Sequence, residues 1–266
     1  MIATAVAFVR RDFLIWTSYR TAFLWQVTGV LGLIGLLYLV GQAVGERLTA
    51  PVEGLSRDYF DYLLTGIAFV DVFAFGLSAF PRTIRDAQQA GTLEAMLLAH
   101  FRLFPIVFYS SVFGFLQSLV RLVIFGAMAV FAFGLWHEAN PLSVLVIFLL
   151  ATCVFACLGV LSAAFVLLLK QGDPVIGVYG LASAMLGGVL FPVTVLPAWL
   201  QPLSVLVPLS HALNGMRRAL LGAPLTDLGF EVLSLLLMTA IFLPASAVAF
   251  NWALNRAKEE GSLVQY

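Results

Sequence analysis

Few side chains in this sequence are equipped for bond-breaking chemistry. His100, His137 and His211 are scattered, and none has a carboxylate placed for general-base work. His137 is followed by Glu138, but no second histidine stands at the +4 position that a zinc-protease helix needs. Lys170 and Lys258 are the only lysines, and neither follows the glycine-rich spacing of a phosphate-binding loop. No G-x-S-x-G nucleophile elbow occurs. Cys153 and Cys157 lie one helical turn apart in an apolar run with no His, Asp or Glu nearby to complete a metal site, so they read as small packing residues. Any work driven by ATP must therefore draw on a second protein. The charges that call for an explanation are Asp71 and Arg121, each inside an apolar run, where a charge costs about 2.5–3.5 kcal/mol to insert.

The elements that hold these residues are set by composition. The chain is 62% hydrophobic and 11% charged, and its mean hydropathy is +1.02. That excludes an ordinary soluble domain and leaves a single all-α integral membrane domain over residues 1–266. Fourteen basic and 14 acidic residues cancel, so no global field attracts nucleic acid. With roughly 20 apolar residues per crossing, six transmembrane helices are predicted at about 21–43, 61–80, 106–135, 142–169, 174–192 and 228–253. Arg10, Arg11, Arg20, Arg82, Arg85, Arg102, Lys170, Arg256 and Lys258 then fall on one side, and Arg47, Arg57, Arg217 and Arg218 on the other. The basic excess places both termini in the cytoplasm. Residues 1–20, with Arg10, Arg11, Asp12 and Arg20 opposite an apolar face, read as an amphipathic interfacial helix. Gly172, Asp173 and Pro174 close a tight cytoplasmic turn.

Two segments depart from simple crossings. In 187–222, the apolar run meets Phe191-Pro192, and prolines recur at Pro197, Pro202 and Pro208 while the stretch stays apolar. No straight helix passes through so many prolines. Broken backbone at membrane depth has to hide its polar groups in protein or line a water-filled cavity. The second segment, 81–104, is a polar loop. Gly91 interrupts it, Thr92 can cap a short helix with Glu94 in its first turn, and Leu93, Met96, Leu97 and His100 share one face.

GTLEAML at 91–97 and LFPVTVLP…PLSHALNGMRRALL at 190–221 together resemble the permease subunits of ABC type-2 exporters, which include carriers of drugs, polysaccharides and lipid-linked glycans. The resemblance spans nearly the whole chain. It implies two copies of this chain, as a homodimer or with a related permease, and two separate ATPase subunits, which alone bind ATP and Mg. It makes Arg85 to His100 a cytoplasmic coupling helix seated on the ATPase, with Arg85, Gly91, Thr92, Leu93, Glu94 and Leu97 as its contacts. It makes 193–222 an extracytoplasmic re-entrant hairpin between helices five and six, with Phe191, Pro192, Pro197 and Pro208 at the exit gate. Both fit a bacterial inner-membrane exporter surrounded by membrane lipids.

Small residues mark candidate dimer seams: Gly29, Gly32, Gly35, Gly41 and Gly45 in the first helix, and Gly177, Gly180, Gly187 and Gly188 in the fifth. Candidate lining groups (Gln26, Thr28, Tyr38 and Gln42) are neutral and sparse, which favours a hydrophobic, amphipathic or lipid-linked substrate. The competing reading is an ion-coupled secondary transporter or channel with Asp71 as its ion site; a third is a membrane scaffold that moves nothing. Counting from the cytoplasmic ends puts Asp71 and Arg121 at similar depth on adjacent helices, so they are expected to pair. Reversing either charge alone should reduce the yield of folded protein, and exchanging both should restore it; a double variant no better than the singles would show that they do not pair.

Overall fold

The computed structural model describes residues 28–29, 31–40, 59–89, 119–120, 122–127, 129–131, 134, 138–169 and 175–259. Among these the chain is helical, with no strand. The helices are α1 (Leu31–Val40), α2 (Tyr59–Gln89), α3 (122–127), α4 (Pro141–Leu169), α5 (Gly180–Leu186), α6 (Pro208–Leu220) and α7 (Gly229–Glu259). A π-helical turn, Val175–Tyr179, leads into α5. Among the described residues, three stretches can by length and composition cross a membrane: Tyr59–Asp86, Pro141–Leu168 and Gly229–Ala257. They correspond to the second, fourth and sixth predicted crossings. The interfacial helix at 1–20 and the turn at 170–174 lie outside the described residues.

Two boundaries differ from the sequence reading. The second crossing does not stop at Pro81. α2 continues through it to Gln89, so Arg82 and Arg85 are helical rather than part of the loop. A proline here removes only one backbone donor, and membrane helices accommodate that when neighbours satisfy the freed groups. The fifth crossing, expected to reach 192, ends at Leu186. Gly187 and Gly188 turn the chain there, Gly188 with φ +73°, a conformation that favours glycine.

α4 is the central helix, packed on α2 along one side and α7 along the other. Asn140 starts it. Its side-chain oxygen accepts from the amides of Leu142 and Ser143, both at 3.2 Å, and Pro141 takes the first helical position. The main core joins Phe69 and Phe73 of α2, Ile147 and Phe155 of α4, Leu209, Leu213 and Met216 of α6, and Leu235 of α7. A second cluster, toward the Gln89 end, joins Phe80 and Ile84 to Ala163, Leu167 and Phe250. A third packs Ile34 and Leu37 of α1 against Phe60, Leu64 and Phe125.

The α2–α4 crossing depends on two glycines. A Cβ on Gly159 would stand 2.1 Å from the Gly76 carbonyl oxygen, and one on Gly76 would stand 2.7 Å from the Phe155 Cβ. Both backbones are in contact, the small-residue packing by which membrane helices associate. Elsewhere, Gly29, Gly32, Gly35 and Gly177 meet no atom within 4 Å. Gly187 and Gly188, expected at a dimer seam, instead pack inside this chain, Gly187 on Leu209 and Gly188 near Val193 and the Tyr62 hydroxyl. A Gly159→Ala substitution must push α2 and α4 apart, so it should lower thermal stability in detergent by about 1–3 kcal/mol, the usual range for overpacking. Gly229→Ala, where an added Cβ meets no atom within 4 Å, should leave the melting temperature unchanged.

Candidate functional site

The segment that the prolines break lies at the end of the bundle opposite Gln89, and every element there converges on it. After the Gly187–Gly188 turn come a short 3-10 stretch, Val193–Val195, a one-turn helix, Gln201–Ser204, and then α6. Pro192 precedes the 3-10 stretch in an extended conformation. The Pro197 carbonyl accepts from Leu200 N at 2.8 Å, closing the next turn. Pro208 fills the first turn of α6. Phe191 and Pro192 are half-buried and Pro197 is exposed. Pro208 is buried, so of the four gate candidates in this irregular segment Pro197 alone is fully exposed.

Its carbonyls are satisfied by side chains. Arg217 of α6 reaches across with Nη1 donating to the Gly188 carbonyl at 2.9 Å. Its Nη2 donates to the carbonyls of Tyr62 at 3.1 Å and Val189 at 3.4 Å. The Tyr62 hydroxyl donates to the same Gly188 carbonyl at 2.6 Å, and the Tyr59 hydroxyl donates to Leu190 O at 3.0 Å. Three successive carbonyls, 188 to 190, therefore each receive a donor from α2 or α6. The Arg217 guanidinium also lies 3.5 Å from the Tyr62 ring centroid, a cation–π contact strengthened by desolvation. Arg217 is only 7% exposed, and the Asp61 carboxylate adds an attractive charge. Gly66 permits the approach, since a Cβ there would stand 2.3 Å from Val189 O.

Further along, the Gln201 amide donates to Leu196 O at 2.9 Å and to Thr194 O at 3.3 Å, serving the proline-rich turn in the same way. His211 Nε2 donates to Val205 O at 2.8 Å, which assigns its proton to that nitrogen. Its ring stands edge-on to Phe230, 5.6 Å between centroids. The C-terminal end of α6 is tied down as well. Arg218 bonds Glu231 of α7 at 2.7 Å and the Asp227 carbonyl at 2.7 Å. Asn140 N donates to Ala219 O at 3.0 Å, and the Ser143 hydroxyl donates to Ala223 O at 2.9 Å. Gly222, at φ +91°, lets the chain pass Glu138, whose carbonyl a Cβ would meet at 2.8 Å.

Arg217 and Arg218 were read from sequence as flanking charges that report orientation. The structure corrects this: Arg217 is a buried donor hub, and Arg218 is an ion-pair partner. The missed signal was their position, since no Asp, Glu, Lys or Arg occurs between Asp173 and Arg217. A charge ending so long an apolar stretch needs a partner, as was argued for Asp71 and Arg121. Asp71 is half-buried on α2, and Arg121 lies outside the described residues. Of the coupling candidates, Arg85 is half-buried on α2, its Nη2 buried without a hydrogen-bond partner, as is Oε1 of Gln88 one turn on. Gly91, Thr92, Leu93, Glu94 and Leu97 lie outside the described residues.

The site fixes a broken backbone to two helices. Arg217→Ala strips donors from three carbonyls, and each bond to a charged group is worth about 1.5–3 kcal/mol. It should destabilise the protein far more than Tyr62→Phe, which removes one neutral bond worth about 1 kcal/mol. Arg217→Lys should fall between, keeping the charge but losing the planar fork. Thermal unfolding of the three variants in detergent checks this order; an Arg217→Ala protein as stable as wild type would show that the hub contributes nothing.

Comparison with curated proteins finds no match. The model of the family described as ABC-2 type transporter matches residues 5–221, well over half of the chain, including α2, α4 and all but the last residue of the broken segment. With its membrane-spanning apolar helices, the chain belongs to the ABC-2 type transporter family and is a multi-pass permease component of an ABC transporter.

Proposed function

We propose that this chain is the permease of an ATP-driven exporter, working as a pair of permeases on two ATPase subunits that bind all the ATP and Mg. It moves a hydrophobic, amphipathic or lipid-linked compound out of the cytoplasm or the inner leaflet by alternating access, in a bacterial inner membrane with both termini cytoplasmic. The broken segment is the extracytoplasmic hairpin, and Phe191, Pro192, Pro197 and Pro208 border the exit. Residues 91–97 form the coupling helix beneath the membrane, with Glu94 as its main polar contact to the ATPase. Asp71 and Arg121 pair within the membrane and fix helix packing.

One observation carries this reading. α2 is a single helix of 31 residues, about 46 Å long at 1.5 Å per residue, against roughly 30 Å of bilayer hydrocarbon. One end is bonded to the hairpin through Tyr59, Tyr62 and Arg217. The other passes Pro81 and is helical as far as Gln89, two residues before the coupling motif. A displacement imposed there by ATP-driven closure of the ATPases is thus delivered to the exit with little loss. The exposed apolar residues of α1, Leu31, Leu36 and Leu39, and its open glycines fit a seam and pathway for apolar cargo.

Purifying the tagged chain gently from its own cells should recover a P-loop ATPase at near-stoichiometric level by mass spectrometry. Glu94→Ala should abolish transport and its coupling to ATP hydrolysis while the protein remains folded. Recovery of the chain alone, with ion movement in liposomes lacking ATP, would overturn the exporter and favour Asp71 as an ion site.

A further inference from the structure

An apolar cleft of about 440 Å³ opens between α2, α3, α4 and α6. Its walls include Phe69, Leu122, Phe125, Val144, Phe148 and Met216. Thr65 is the one hydroxyl-bearing residue that lines it, and that hydroxyl already donates to the Asp61 carbonyl at 2.9 Å. A buried water needs two to four polar partners, which these walls do not supply. The space lies within the range of ~300–1,000 Å³ typical of small-molecule sites, too large for a packing defect to persist without an occupant.

The surroundings of the cleft show where an occupant comes from. At the mouth, Leu119, Val123 and Leu145 are 38%, 61% and 53% exposed, and two of the walls, α2 and α4, are long and apolar enough to span a bilayer. The cleft therefore opens onto the same apolar belt that faces lipid tails. Its depth is fixed by Thr65, near the Tyr59 end of α2, and by Pro141, the first residue of α4. That places it in the leaflet beside the Arg217 hub. Its back wall is formed by Met216 and Leu220, which flank Arg217 on α6.

We propose that this cleft binds a hydrocarbon chain of a bilayer phospholipid, which braces the Met216–Leu220 face of α6 beside the Arg217 hub. Water is excluded for want of partners, and a charged or strongly polar ligand would lose its hydration with nothing to replace it. An alkyl chain fills the volume and asks for no hydrogen bond. The inference does not depend on the exporter reading, because it needs only the membrane location of α2 and α4.

The test uses the full-length chain in nanodiscs of phosphatidylethanolamine and phosphatidylglycerol, doped with a phospholipid carrying a diazirine on one acyl chain. After irradiation, adducts are mapped by mass spectrometry. Labelling at Val144–Phe148 should saturate at low mole fraction of the probe, while labelling around Leu243, 59% exposed on α7, rises in proportion to it. Gly126 lines the cleft, and a Cβ added there meets no atom within 4 Å, so Gly126→Leu puts an alkyl group at that wall. Gly126→Leu should therefore abolish the saturable labelling and leave that near Leu243 unchanged. Labelling at Val144–Phe148 that never saturates, or that survives Gly126→Leu, would overturn the proposal. Should that variant fail to fold, the saturation curve of the wild type decides alone.

Discussion

A broken backbone in apolar surroundings must bring its own hydrogen-bond partners, and this molecule is arranged around that requirement. Where the chain turns at Gly187 and Gly188, the carbonyls of residues 188, 189 and 190 leave helical bonding. With little water to serve them, each unmet carbonyl costs several kcal/mol. Arg217 and two tyrosines of α2 meet all three. Arginine suits the role, because its planar fork reaches three carbonyls at once and its flat face rests on Tyr62. The solution has a structural consequence: donors and acceptors belong to different elements, so α2, α6 and the turn cannot separate without stranding polar groups.

The rest of the packing extends this rigidity away from the hub. Gly76 and Gly159 bring α2 and α4 into backbone contact midway along the bundle. Arg218, Glu231, Asn140 and Ser143 then tie the C-terminal end of α6, next to Arg217, to α4 and α7. Along the rest of α6 packing takes over, and ten of its 13 residues are buried. A hairpin suspended this way has few soft directions left. Its natural motion is with α2, and α2 runs straight on to the Gln89 end.

Much of this was legible in the sequence, for physical reasons that differ by element. The long apolar runs place α4 within a residue at each end and the start of α7 within one, because a lipid-facing helix is apolar on most sides, but α7 continues six residues past the expected 253, to Glu259. The prolines from Pro192 to Pro208 reported broken backbone, and the demand that its carbonyls be met by protein was correct. The identity of the donors was not legible: Arg217 is beside Arg218, and only the fold shows that one is buried while the other bonds Glu231. Tyr59 and Tyr62 sit 125 residues and more upstream of their acceptors, a separation that no local pattern encodes. The extension of α2 past Pro81 was missed for a related reason, since tertiary contacts of Phe80 and Ile84 hold a helix that proline alone would end. Of the glycines, spacing alone could not separate the close contact at Gly159 from the open face at Gly32.

The central claim is that the hairpin moves as one body with α2. Paired spin labels at Arg82 on α2 and Leu206 on the hairpin, both exposed, test it most directly. Labelled chains would be diluted with unlabelled ones so that only the distance within one chain is read, and the distance followed with and without ATP in the assembled transporter. The account predicts a single narrow distance that does not change through the cycle, and that broadens in Arg217→Ala. A wild-type distance that shifts between nucleotide states would contradict it, showing that the hairpin opens independently of the helix it is bonded to.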